Sequence, residues 1–235
     1  MPAPITEEQN RLDREALLDA AETLFYAHGI QAVGMDRVRE ASGLPLKRIY
    51  RFFATKEDLV VAMLRRRDRR WRASLAAHVE SVPDPRGRVL AVFDWLAAWF
   101  AEPGFRGCAW INAHGELGSS SEPVLAEVRS HKRAFHDQLS AWVRATGVPV
   151  ADGVCLLAEG AIVTAGIDAD PSPAGRARAA VERLLGDRPA AGPPGRPDER
   201  PPGDRPAAGP PGRPDGRPLG DRPAAGPPGR PDGRP

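Results

Sequence analysis

Two short helical patterns lie between Met35 and Phe53, separated by four residues that interrupt a helix, Ser42-Gly43-Leu44-Pro45. Gly43 can take the positive φ of a tight turn between helices. Pro45 suits the first position of a following helix, where its missing N–H is not needed. In the first pattern, Met35 to Ser42, the residues Met35, Val38 and Ala41 share an inner side. In the second, Leu46 to Phe53, a rotation of about 100° per residue gathers Leu46, Ile49, Tyr50 and Phe53 on one arc. Lys47, Arg48 and Arg51 fall on the other, with Phe52 at its edge, and no acid interrupts the run from Gly43 to Thr55.

Two short helices, a glycine turn and a basic outer face on the second helix make a helix-turn-helix, the geometry that places one helix in a DNA major groove. A surface hairpin with ordinary solvated charge fits those residues too. Flanking segments bear on the choice. LLDAAETLFYAHG precedes MDRVREASG, and RIYRFF is followed by TKEDL. At these spacings, from about Leu17 to Leu59, the chain resembles the N-terminal domain of the TetR family of bacterial transcriptional repressors. The resemblance implies an all-helical homodimer with a three-helix DNA-binding head and a larger ligand-sensing, dimerising body. It implies that Lys47, Arg48 and Arg51 face DNA and that Tyr50 sets its hydroxyl on a phosphate. Lys56, in the first turn of the fourth helix, is a further expected backbone contact, because a helix N-terminus favours phosphate. Three positions depart from the family pattern. Val33-Gly34 lacks the usual Thr or Ser cap, Arg39 stands where Ala is usual, and Phe52 stands where His or Tyr is frequent.

The last fifth of the chain is a different material. From Gly186 the sequence repeats with a period of 17, GDRPAAGPPGRPDERPP and its near copies, and holds one leucine as its only large apolar residue. Such a segment cannot bury enough surface to offset the ordering of its backbone. The expectation is a head over residues 1–55, a helical effector-binding and dimerisation body over 56–185, and a disordered repeat tail over 186–235. The fold class expected is all-α throughout the ordered part.

Net charge is only +2 over 235 residues, so the local run on the second short helix says more about DNA than the total does. Cys108 and Cys155 are isolated in apolar surroundings, as free thiols of a reducing cytosol would be. The opening MPAPITEEQN has neither a basic head nor an apolar run, and no stretch approaches the roughly 20 apolar residues of a membrane span. The expected location is cytoplasmic, with no membrane partner.

Helical periodicity continues through Leu17, Ala20, Ala21, Leu24 and Phe25, closed by Gly29, with Thr6 and Gln9 offering a capping box at its start. Thr55 and Asp58 cap the fourth helix, which runs to about Val79 and contains RRRDRRWR, residues 65–72. Arg66 lies about 15 Å up the axis from Lys56 at 1.5 Å per residue, so a solvated or interdomain-paired face accounts for that run better than DNA. Further helices are expected near Val89–Phe100, Ser121–Thr146, Asp152–Ile167 and Pro173–Leu185. Ala158, Ala161 and Ala165, with Ala177, Val181 and Leu184, offer small-residue stripes for a four-helix dimer interface.

Aromatic residues with a few polar groups suit an effector cavity, which makes Trp95, Trp99, Trp110, Asn112 and His114 the candidate ligand-binding residues. The alternative is that the tryptophans are core and the polar pair is satisfied there. No Gly-rich phosphate loop, nucleophile elbow or metal-ligand spacing occurs, so neither an enzyme nor a cofactor or metal site is expected. The function expected is a dimeric repressor released from a palindromic operator in double-stranded DNA by a small-molecule effector. A protein-binding regulator with a weakened head is the competing class, on the strength of Arg39 and Phe52.

Overall fold

The computed structural model describes residues 6–186, all of whose regular structure is helical. The 186–235 repeat, apart from Gly186, lies outside the described residues. Nine helices follow in order among the described residues: α1 Glu7–His28, α2 Met35–Ser42, α3 Leu46–Phe52, α4 Lys56–Glu80, α5 Pro85–Phe100, α6 Ala109–Leu117, α7 Glu122–Arg144, α8 Ala151–Asp168 and α9 Ser172–Leu184. No helix among the described residues is long and apolar enough to cross a membrane.

Local chemistry sets most of the boundaries. Thr6 accepts from the Gln9 N–H, but the Gln9 side chain turns forward to Asp13 instead of returning to close a capping box. Gly29, at φ 88°, ends α1 with its N–H on the Phe25 carbonyl. Gly43 takes the left-handed conformation, φ 68° and ψ 8°, that turns the chain from α2 into α3. Pro45 stands one position earlier than expected, just before the first helical residue Leu46, and its fixed φ still leads into the helix. Thr55 and Asp58 complete the capping box at the start of α4. Ser121 caps α7, accepting from Val124 N–H.

α1 packs on α2 and α4, and α2 on α3, which makes the head. α4, 25 residues and about 37 Å long, continues into the body, where it meets α5 and α7. The apolar core is one continuous cluster, from Leu17, Val38, Ile49 and Leu59 in the head to Phe93, Leu96, Phe135 and Leu139 in the body. α8 and α9 pack on each other, and α5 touches both.

That last arrangement turns one expectation round. Ala158, Ala161 and Ala165 of α8, and Ala177 and Val181 of α9, are buried inside the subunit, whereas Leu184, the third residue of the α9 stripe, stays exposed. Small residues let the helices of one chain approach closely, and here that is where they are used. The outward face of α8 carries Leu156, Gly160, Val163 and Ile167 instead, with Leu156 74%, Val163 40% and Ile167 78% exposed.

Candidate nucleic-acid interface

α3 presents a rim of polar side chains on a rigid underside. Ile49 and Phe53 are buried in the head core, while Lys47, Tyr50 and Arg51 are exposed, Tyr50 by 46%. Lys47, Arg48 and Arg51 border one groove together with Leu44, Pro45 and Asp13. Within it Arg48 differs from its neighbours. It is only 8% exposed, and its guanidinium turns back onto α1, donating from Nε to Asp13 at 2.9 Å and from Nη2 to Asn10 at 2.6 Å. Phe52 covers the same guanidinium, 4.7 Å from its ring centroid. A buried arginine so engaged positions the helix, with Nε and Nη2 spent on α1 instead of being free for DNA as expected. Phe52 thereby acquires a packing role through cation–π contact.

Lys56 lies over the Phe25 ring, 5.7 Å from its centroid, and burial lowers its pKa, with the Glu116 charge acting against that shift. Arg39 is exposed and 3.6 Å from Asp36. It snorkels clear of the α2–α3 packing, as a long side chain in an Ala position must.

The head is fastened to the body at two joints. In the first, Arg66 of α4 donates to Glu15 at 2.8 Å, Asp19 at 2.7 Å and Glu22 at 3.1 Å, all on α1. Glu22 also receives Arg67 at 2.7 Å and Arg70. Apart from Arg69, the arginines of the basic run 65–72 are thus paired, Arg66, Arg67 and Arg70 with α1, as the run's distance from the groove suggested. In the second joint, the Glu116 carboxylate of α6 accepts from the N–H groups of Ile30 at 2.9 Å and Gln31 at 2.7 Å, just past the end of α1, and Gln31 donates back to the Glu116 carbonyl. Gly29 is required there twice over. Its φ is positive, and a Cβ would come within 3.3 Å of the Glu116 carboxylate. Beside it, Tyr26 donates to the Gly107 carbonyl at 2.8 Å and accepts from Arg106 N–H at 2.8 Å. Burial raises its pKa, which keeps the hydroxyl proton that the first of these bonds needs. Gly107 in turn lies against Gly166 of α8, so closely that a Cβ on Gly166 would sit 2.8 Å from the Gly107 Cα.

In the body, the candidate ligand-binding residues do not form one set. Trp95, Trp99 and Trp110 gather around Trp71 of α4, with ring centroids 5.1, 5.5 and 6.5 Å from it and edge-to-face geometry. Trp110 is buried and stacks on His131 at 3.4 Å between centroids. Asn112 and His114 lie on the exposed side of α6, where Asn112 donates to the Arg106 carbonyl. Trp71 and His131 escape a reading by sequence because one sits inside an arginine-rich run and the other on a helix with ordinary polar periodicity. His131 is 3% exposed and bonds through Nδ1 to Asp68 at 2.7 Å. Arg72 grips the same carboxylate from Nε and Nη2.

Comparison with known proteins bears on this architecture. The pattern of the bacterial regulatory proteins, tetR family, matches residues 17–63. A TetR-family transcriptional regulator from Streptomyces coelicolor is 32% identical, with a TM-score of 0.69 over 74% of this chain and 95% of that one. The chain belongs to the TetR family. It is a transcriptional regulator of the helix-turn-helix, DNA-binding kind, in a family of regulators and not of enzymes. Reduced NemR from E. coli shares the TetR fold, with a TM-score of 0.65 over 73% of this chain and 97% of that one at 24% identity. An uncharacterized HTH-type transcriptional regulator of Mycobacterium tuberculosis is 28% identical over 106 residues, which are 41% of this TetR-family chain. The chain spans about half, 52%, of that curated relative's length.

Proposed function

We propose that this TetR-family chain is a cytoplasmic, homodimeric repressor that holds a near-palindromic operator through the α3 helices of two subunits and lets go when a small-molecule effector binds the body. The observation that carries the proposal is the rim of α3. Lys47, Tyr50 and Arg51 are exposed on a helix whose underside is locked by Ile49, Phe53 and the Arg48–Asp13 pair. Cations on a rigid helix can meet phosphates and base edges without first ordering the backbone that carries them. Lys47 and Arg51 are the base- or phosphate-facing pair, Tyr50 supplies a phosphate contact, and Arg48 sets the helix they stand on.

A dimer is supported by the stripe of Leu156, Gly160, Val163 and Ile167, an apolar helix face left open to water by the subunit's own packing. Two such heads would read half-sites about one helical turn apart. Effector control is supported by the position of α4, which carries Trp71 of the aromatic cluster past its midpoint and adjoins the recognition unit at its start. A ligand that binds two arrangements of α4 unequally shifts the balance between them.

The test is a gel shift with DNA flanking the protein's own gene, performed with wild type and with Lys47→Ala/Arg51→Ala. Retention by wild type and loss by the double variant is the expected result. Wild type that retains no fragment at low ionic strength would defeat the proposal.

A further inference from the structure

We infer that the cleft between α4 and α7 above His131 is a binding site for a small planar weak acid, a one-ring carboxylic acid or phenol. The inference rests on the effector-responsive reading above and gives it a place and a ligand class.

The cleft has a volume of about 240 Å³ and is lined by Arg65, Asp68 and Arg69 of α4, by Glu127, Ser130 and His131 of α7, and by the Trp110 ring. Its size lies just below the roughly 300–1,000 Å³ of drug-sized ligand sites and above the engineered 150 Å³ cavity that holds benzene. One aromatic ring with a polar substituent fits that space.

The chemistry of the floor follows from the hydrogen bonds around it. Asp68 can only accept, so the His131 Nδ1 bonded to it at 2.7 Å carries a proton. In the neutral imidazole the lone pair is then on Nε2. His131 lines the cleft although it is 97% buried, and Nε2 has no hydrogen-bond partner among the described residues. Nε2 is not closed off from solvent, so the lone pair is open to a donor entering the cleft, and a hydroxyl is one.

The charges decide between an acid and an amine. Asp68 is already engaged by His131 and Arg72, and Glu127 by Arg65 at 2.6 Å. Arg69 is exposed at the rim and has no ion-pair partner among the described residues. The charge left over is positive. A phenol keeps its proton and donates its O–H to Nε2, whereas a carboxylate, already ionised at neutral pH, is held with a proton taken from solvent onto Nε2, leaving an imidazolium between the Asp68 carboxylate and the ligand anion. Arg69 receives the anion from the rim, with Ser130 as a further donor. The Trp110 ring, stacked on His131, supplies a flat apolar wall.

The site also touches the helix that carries the head. Arg65 and Asp68 face α7, whereas Arg66 and Arg67, next to them on α4, hold Glu22 of α1. A ligand that draws Arg65 from Glu127 therefore acts on the same turn of α4 that fastens α1.

Tryptophan fluorescence of the full chain, titrated without DNA, tests the site with benzoate, phenol and benzylamine as probes. His131→Asn keeps a donor at the Nδ1 position for Asp68 and removes Nε2. Benzoate or phenol is expected to saturate the signal, with binding at least about tenfold weaker in His131→Asn and two- to fivefold weaker, roughly, in Arg69→Ala. Arg69 is a surface position, so the second variant serves if the first does not fold. No saturation by either acid, equal affinity in both variants, or preference for benzylamine would overturn the inference while leaving operator binding intact. Saturation by an acid that leaves the gel shift unchanged upholds the site and overturns the effector part of the proposed function.

Discussion

Arg48 and Asp13 are joined by a 2.9 Å ion pair between the recognition helix and α1, with side chains only 8% and 15% exposed. The pair separates two kinds of arginine on one short helix. Arg48 holds the helix in place, and Arg51, one turn away, is open to solvent.

Arg48→Ala leaves Asp13 without its partner and opens space under Phe52. The cost is about 2–3 kcal/mol, lowering Tm by roughly 4–12 °C for a domain of this size. Lys47→Ala and Arg51→Ala are expected to leave Tm within about 1 °C and each to reduce the salt slope of operator binding by roughly 2, one contact from each subunit of the proposed dimer. Differential scanning fluorimetry and anisotropy at several salt concentrations separate the two effects. Equal Tm losses in all three variants would contradict the assignment.

Arg66→Ala leaves Glu15, Asp19 and Glu22 facing one another across α1 with Arg66 gone. A loss of about 3 kcal/mol is expected, with Arg70→Ala nearer zero because Arg70 is half exposed and shares Glu22 with Arg67. Denaturant midpoints measure both. An Arg66 variant as stable as wild type would mean the α1–α4 joint is not held by charge.

Acid lability should centre on Asp68 and His131. Burial pushes the Asp68 pKa up, but the bonds donated by His131 and Arg72 outweigh it and hold the carboxyl at about 2. That pair's contribution is full above about pH 4 and is lost as pH falls towards 2. Burial lowers the pKa of His131, against the pull of Asp68. The unfolded chain therefore takes up its histidine proton first, and stability falls as pH drops below about 6.5. In Tm measured from pH 7.5 to 5, His131→Asn is expected to show a shallower decline than wild type, and parallel curves would refute that account.

Leu156→Glu combined with Ile167→Glu places two charges on the exposed face of α8. Sedimentation equilibrium is expected to show a monomer at micromolar concentration, with operator affinity reduced at least about a hundredfold, because two half-sites are no longer held by one molecule. A variant that still sediments as wild type would move the dimer elsewhere. Ala161→Ser, on the buried side, should leave the assembly unchanged.

Glu116→Gln removes the charge from a group that accepts two backbone N–H bonds at once. Amide exchange at Ile30 and Gln31 is expected to quicken by about tenfold, with the far end of α7 unaffected. Unchanged protection would show that Glu116 merely lies near the end of α1.

Helix boundaries were readable from a few residues whose chemistry is local: Gly43 with its positive φ, Thr55 with Asp58, Ser121 before Pro123. Core faces followed from periodicity, as with Leu17, Val38 and Ile49. Which element a polar side chain meets was not readable. Arg48 and Asp13 are 35 residues apart, His131 and Asp68 are 63, and Glu116 reaches back 86 residues to Ile30. Nothing in a helical pattern says which way its face will be turned in space. The alanines of α8 show it: their spacing promised a close contact, and the contact is with helices of the same chain.

Gly166 and Gly107 touch backbone to backbone, and the Gly107 carbonyl holds Tyr26 of α1. Peptide groups in contact have no rotamers with which to absorb a small displacement. Gly166 adjoins Ile167, at the end of the open stripe on α8, so in the proposed dimer the seam between subunits and the reading unit of each would be geared with little backlash. Twisting one pair of helices against the other at that seam would alter how far apart the two reading units stand.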